Sequence, residues 1–490
     1  MRSTTFADTD IAVRLNQVDG AIIAVYLICI TLFGLRFRKS QRSLRDYFLA
    51  DRNIPWWAIA LSIVAAETST LTIIGTPAIA YGGNFGFLQL VFGYLLGRII
   101  ICILFIPQYF RGEMFTAYQL IDRRFGKVLH RVTAAVFLVL RAAAEGVRVW
   151  AVSIVVVTAF HISDVTSVTI IMLLTLLYTF EGGLAAVIWT DVVQMVIYVG
   201  GTIVGFVTLI HLVPGGWPAI HAAGVSAGKF RVFDFSFNFF QTYTFWAGLI
   251  GGTFLTTASH GTDQLMVQRL LAARGERESK LALLSSGVVV LAQFTLFLLV
   301  GAGLWMYYGL YPSQARFTSP DKAFPTFIVD HMPHGISGLL IAAILAAAMS
   351  NLSAALNSLS STTMVDFYLR IRPETSDRRR LLLSRVATVV WGIILFGLGL
   401  ASRYGGSVLE RGLTLASLAY GGLLGVFLLG VLTRRAKQTG AIIGMLCGLA
   451  LNIYIWGWTT VPYTWYVTMG SLTTFAVGYI ASLLEPDAGT

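Results

Sequence analysis

Leu61-Ser62-Ile63-Val64-Ala65-Ala66-Glu67-Thr68-Ser69-Thr70-Leu71-Thr72-Ile73-Ile74-Gly75-Thr76-Pro77 is the stretch on which the fold turns. It is apolar at its start, yet Glu67 and the hydroxyls of Thr68, Ser69, Thr70 and Thr72 follow, and then Gly75 and Pro77. Hydroxyl side chains compete for backbone hydrogen bonds, and proline lacks an N–H. The expectation is a helix broken near Ala65 to Thr68. A break exposes carbonyl oxygens, and carbonyls beside a carboxylate form a cation site. A kinked helix with Glu67 paired to an arginine is the alternative.

The rest of the chain places that break in a membrane. Of 490 residues, 56% are hydrophobic, and 48 more are Gly. Charged residues are 12%, against roughly 25% in soluble domains. Mean hydropathy is +0.74. This composition excludes a soluble enzyme, a disordered chain and a coiled coil. Cys29, Cys102 and Cys447 have no pairing or metal-ligand spacing, which excludes a disulfide framework.

A hydrocarbon core of about 30 Å needs roughly 20 apolar residues as helix. About thirteen segments qualify: 18–36, 55–81, 85–107, 128–159, 163–180, 185–213, 240–271, 281–310, 337–368, 382–402, 407–433, 438–457 and 463–484. Their apolar runs are continuous and not alternating, so an all-α polytopic membrane protein is expected and not a barrel. Basic residues cluster after spans 1, 3, 7, 9 and 11, as in Arg36-Phe37-Arg38-Lys39 and Arg378-Arg379-Arg380. With thirteen spans these loops share one side, which the positive-inside rule makes cytoplasmic. The N-terminus is then outside, the C-terminus cytoplasmic, and the protein sits in the plasma or inner membrane. The net charge of +11 is a topology signal and does not imply a nucleic-acid partner.

Polar groups inside spans are costly and mark cavities or partners. In span 9, Ser350, Ser353, Asn357 and Ser361 share one helical face. Neutral oxygens of this kind suit a hard cation, and small-residue packing is the other reading. Span 7 holds Thr256-Thr257-Ala258-Ser259-His260-Gly261-Thr262-Asp263-Gln264, a second expected break. Span 4 carries Arg141, Glu145 and Arg148 on one face. Glu145 can neutralise one arginine, and the other needs a further anion, either Glu67 or an anionic substrate. A structural ion network is equally open. Gly93 and Gly97 in span 3 read as close helix packing.

These residues resemble the sodium/solute symporter family over about 45–437. Tyr178-Thr179-Phe180-Glu181-Gly182-Gly183-Leu184-Ala185-Ala186-Val187-Ile188-Trp189-Thr190-Asp191-Val192-Val193-Gln194 is similar to its Y-T-x-x-G-G-x-x-A-V-x-W-T-D-x-x-Q signature. Gln264 to Ala273 and Ser350 to Tyr368 resemble two further segments. The resemblance implies the LeuT fold, a five-plus-five inverted repeat with one N-terminal and two C-terminal extra helices. The divisions are then 1–54 (external segment, first helix and cytoplasmic loop), 55–213 (first repeat), 214–239 (external loop), 240–437 (second repeat) and 438–490 (last helices and tail).

The same resemblance implies Na⁺ as coupling ion, held by Ala65, Thr68, Ala347, Ser350 and Asn351. Asn351 departs from the hydroxyl usual there. Glu67 stands where proline-transporting members have an Asp, and is a possible charge partner. Asp191 and Ser353 match part of a second Na⁺ site, but Ala354 replaces its next hydroxyl, so one Na⁺ per solute is expected. Implied substrate positions are Ser69, Thr72, Thr256, Ser259 and His260. With Arg148 and His260 present, the solute expected is a small carboxylate-bearing molecule. No organic cofactor is expected, and the partners are that solute, Na⁺ and the bilayer around a monomer. Proton coupling through Glu67 stays open, as do an intramembrane enzyme, which has no H-E-x-x-H to support it, and a non-transporting sensor.

Overall fold

The computed structural model describes residues 15–36, 50–111, 117–178, 184–404 and 406–485. The expected external N-terminal segment, the basic loop after the first helix, residues 179–183 of the signature and the end of the tail lie outside the described residues. What is described is all-helical, 83% helix with no strand. One isolated parallel bridge joins Ile54 to Ala273.

In chain order the main helices are α1 (Gln17–Arg36), α2 (Trp56–Glu67), α3 (Thr70–Gly82), α4 (Leu88–Leu104), α5 (Lys127–Phe160), α6 (Asp164–Tyr178) and α7 (Leu184–Leu212). Then follow α8 (Gly252–Gly261), α9 (Gln264–Leu271), α10 (Glu276–Leu310), α11 (Ile336–Thr362), α12 (Asp377–Ala401), α13 (Val408–Leu432), α14 (Gln438–Trp458) and α15 (Tyr466–Leu484). Among the described residues nine helices are long and apolar enough to cross a membrane, and α2 with α3 makes a tenth crossing bent by 64°. Two shorter apolar helices begin at Gln17 and Asp164. Each expected span contains a helix, and span 7 is the one whose entry differs most. Its helix follows Thr244, because residues 239–243 form turns and bends held by loop hydrogen bonds, and a π-helical turn at Ala247–Gly251 leads into α8.

The break in span 2 lies at Thr68 and Ser69. Thr68 donates its N–H to Val64 O at 2.8 Å, and the ladder restarts when Ile73 N–H reaches Ser69 O at 3.1 Å. Carbonyls in the last turn of a helix have no helical donor, which leaves those of Ala65 and Ala66 outside the ladder. Span 7 breaks at Thr262 and Asp263, between α8 and α9. The Asp263 carboxylate accepts the Leu265 N–H at 2.9 Å and so starts α9.

Both broken pairs sit at the centre. α2 packs on α7 and α10, α3 on α10, and α4 on α8 and α10. The α4–α8 seam is built from glycine. A Cβ on Gly93 would lie 2.5 Å from Gly248 O, and one on Gly252 would lie 2.3 Å from Leu90 O. Outside this centre α1 lies on α11, and Asp19 accepts the N–H groups of Gly335 (2.7 Å) and Gly338 (3.2 Å) at the start of α11. α14 and α15 pack on each other and on α13.

Candidate functional site

Glu67 is the last residue of α2 and points into the centre. Its Oε2 accepts a hydrogen bond from Arg98 Nη2 at 2.5 Å, and its Oε1 lies 3.1 Å from His260 Nε2. His260 Nε2 makes no hydrogen bond at that distance. The other ring nitrogen of His260, Nδ1, is 2.8 Å from Ser259 Oγ. Arg98 comes from α4 and is fully buried. It also donates to Ser286 Oγ (3.2 Å) and Tyr94 O (3.3 Å). The partner of Glu67 is therefore Arg98, and Arg148 is engaged elsewhere. Thr68 Oγ1 donates to Gln293 Oε1 at 2.9 Å and ties the break to α10.

A second cluster lies on α5. Glu145 Oε1 is 2.5 Å from Arg148 Nη1 and 2.9 Å from Arg141 Nε, so one fully buried carboxylate serves two guanidinium groups. Arg141 finds its further anion in Asp263 at 3.6 Å, whose carboxylate also accepts the Tyr420 hydroxyl at 3.0 Å. Arg148, its side chain 31% exposed, has only a share of Glu145. In a third cluster, Asp191 Oδ2 accepts Ser62 Oγ (2.6 Å) and Arg269 Nη2 (3.0 Å). Its carboxylate is thereby taken up by a guanidinium and a hydroxyl, neither of them part of the expected second Na⁺ site.

One cavity of about 1080 Å³ joins these parts. Ser69, Thr72, Arg148, Thr256, Ser259 and His260 all line it, as do Glu67, Ser350, Asn351 and Ser353. Ala65, Thr68 and Ala347 are buried and do not line it. From the break the lining runs to His130, Thr362 and Asp366, next to the arginine-rich loops. The opposite face is closed. There the Tyr243 hydroxyl donates to Glu410 Oε1 at 2.6 Å, and the Tyr243 ring meets Phe87 at 5.7 Å. Lys229 Nζ donates to Ala80 O (3.2 Å) and Tyr81 O (2.7 Å) at the end of α3.

Arg98, Gln293 and Arg269 are the neighbours that the sequence reading missed. Arg98 gave a signal, since a charge inside span 3 demands a partner. Gln293 and Arg269 gave none apart from their place in the fold.

Two broken helices around a cavity open to one face, in an all-helical membrane protein, define a secondary transporter. The sodium:solute symporter family matches residues 47–448, and the chain belongs to that family. It is 28% identical to a sodium/sialic acid symporter of Aliivibrio fischeri, covering 93% of this chain and 91% of that one. It is 28% identical to sodium-coupled monocarboxylate transporter 2 of Bos taurus (86% and 69%) and 27% identical to the human sodium/iodide cotransporter (89% and 69%). A solved structure of a substrate-bound, outward-open Na⁺-coupled sialic acid symporter superposes with TM-score 0.83 at 27% identity, covering 96% of this chain and 98% of that one. The fold is accordingly LeuT-like, and the chain is a Na⁺-coupled transporter of a small solute and not an enzyme.

Proposed function

We propose that the protein imports a small carboxylate-bearing organic solute with one Na⁺, by alternating access, through a cell membrane in which its arginine-rich loops face the cytoplasm. The observation that carries this reading is the shared cavity, which joins Arg148, Ser259 and His260 to Ser350 and Asn351. Arg148 offers the solute carboxylate a guanidinium that Glu145 only half neutralises. The expected ligands Ala65 and Thr68 at the break, and Ser350 and Asn351 on the cavity wall, offer neutral oxygens of the kind Na⁺ takes. The solutes named for the three relatives above are acids or an anion, which supports the same class. Asp191, engaged by Arg269, supports one ion and not two. Glu67 is already paired with Arg98, which favours Na⁺ over a proton at this centre. In this reading the cavity is the inward-facing state, with the Tyr243–Glu410 side closed.

One Na⁺ with one monoanion moves no net charge. A tenfold Na⁺ gradient then supplies about 1.4 kcal/mol, and the membrane potential adds nothing. A second Na⁺ would add about 2.3 kcal/mol per 100 mV. The test is uptake of labelled lactate, pyruvate and sialic acid into proteoliposomes under an inward Na⁺ gradient, with the potential clamped by K⁺ and valinomycin. Na⁺-dependent uptake of at least one acid, insensitive to potential and lost in Arg148→Ala, is expected. Uptake driven equally well by a proton gradient without Na⁺ would overturn the sodium reading.

A further inference from the structure

Between α7 and α8 the chain runs without regular helix or strand through Arg231-Val232-Phe233-Asp234-Phe235-Ser236-Phe237-Asn238 and turns at Phe239-Phe240. Phenylalanine recurs at every second position, 233, 235, 237 and 239, and the first three of these rings gather on Phe245 and Trp246. Phe233 stacks on Phe235 at 5.6 Å, Phe235 meets Phe245 at 5.0 Å, Phe245 meets Trp246 at 5.3 Å, and Phe237 meets Trp246 at 6.4 Å. The ladder is nonetheless bare on its outer side. Phe233, Phe235, Phe240 and Trp246 are exposed, and Phe237 is 81% exposed.

The polar side of the segment is fixed to the protein. Asp234 donates its N–H to Gln89 Oε1 at 2.9 Å. Its carboxylate accepts Arg231 Nη2 (2.6 Å), Gln241 Nε2 (2.9 Å) and the Ser236 N–H (3.0 Å). The charge of Arg231 is thus matched by Asp234, and the aromatic face carries none of its own. That face also continues an exposed apolar stripe on the membrane-spanning helix α4. Phe233 stacks on Phe92 of α4 at 5.7 Å. Phe92, Leu96, Ile99 and Ile103 follow one another along one face of α4, and the last three are exposed.

An uncharged aromatic face that prolongs a hydrocarbon-facing stripe past the end of its helix belongs at the boundary of headgroups and acyl chains. We infer that the 233–246 strap is an interfacial anchor, its phenylalanines seated in the bilayer leaflet opposite the arginine-rich loops. The anchor is coupled to the closed face of the transporter. The strap runs directly into Tyr243, whose hydroxyl holds Glu410 and whose carbonyl accepts Gln89 Nε2 at 3.2 Å. Lipid contact therefore bears on the seal itself. The inference needs only a protein that spans a bilayer and does not depend on the solute or the ion.

The test places a photoreactive benzoylphenylalanine at position 237 or, separately, 240, in full-length protein in phosphatidylcholine nanodiscs. Both side chains are exposed, and benzoylphenylalanine keeps the phenyl ring that each presents. Position 313, an exposed serine in the short 3-10 turn after α10 on the same face, is the control. After irradiation, mass spectrometry should find phospholipid adducts at 237 and 240 several-fold above those at 313. Adduct yields at both positions no higher than at 313 would overturn the anchor and leave the strap in water. Cross-linked dimers in place of lipid adducts, in proteoliposomes holding many copies, would also overturn it and assign the face to a second copy of the chain.

Discussion

Arg98, fully buried, and Glu67, on the cavity wall, face each other inside the membrane on different helices. A buried pair adds little net stability, but removing one partner leaves the other charge uncompensated and costs about 3–5 kcal/mol. Arg98→Met is accordingly expected to lower thermal stability in detergent by about that amount, and Arg98→Met/Glu67→Gln to recover most of the loss. A double variant no more stable than Arg98→Met would show that the arginine acts through packing alone. Side chains were legible in the sequence up to this level and no further. Glu67, His260 and Arg148 stood out because each is an expensive group inside an apolar run. Which of them meet could not be read, because Arg98 and Glu67 are brought together by the α4–α8 glycine seam and the turn at Thr68. Arg269 reads as one more basic residue at a span end until the fold sets it against Asp191.

Helices report themselves by what interrupts them, so both breaks were readable. Glu67 through Thr72 and Thr256 through Gln264 each gather groups that weaken a helix. The entry to span 7 was not readable, because the phenylalanines of 235–240 count as apolar residues while the Asp234–Gln241 hydrogen bond closes them into a loop. Caps supplied by a distant loop are invisible for the same reason. Asp321, in the turn Pro320–Lys322, accepts the N–H of Val408 at 3.1 Å and so caps α13 from another part of the chain. Burial pushes its carboxyl up to about 6, against the opposing pull of that backbone hydrogen bond and of Arg411. A carboxyl raised on folding stabilises most below its unfolded value, and that contribution is lost as pH rises through about 6. His331 works oppositely: burial lowers it to about 4, so its contribution is lost as pH falls. The difference between wild type and Asp321→Asn separates the two. Thermal unfolding between pH 4 and 7 should show wild type losing stability relative to the variant as pH rises. A constant difference across that range would mean that Asp321 does not titrate there.

At the scale of the whole molecule, composition and span count carried most of the fold, because burial of apolar length leaves few alternatives to a helical bundle in lipid. The family resemblance supplied the repeat. Neither showed which face is open, since that depends on contacts such as Tyr243–Glu410 between residues far apart in sequence. The central claim is that this open cavity retains a Na⁺ site between the break in span 2 and Ser350 and Asn351. The measurement is thermal unfolding of purified protein in K⁺ buffer, titrated with Na⁺, for wild type and Ser350→Ala. An ion that binds only the folded state adds about 2.7 kcal/mol at a hundred times its Kd. The expected result is a saturable rise in Tm with Na⁺ for wild type and its loss in the variant. A Tm indifferent to Na⁺, or a rise of equal size in Ser350→Ala, would contradict the claim.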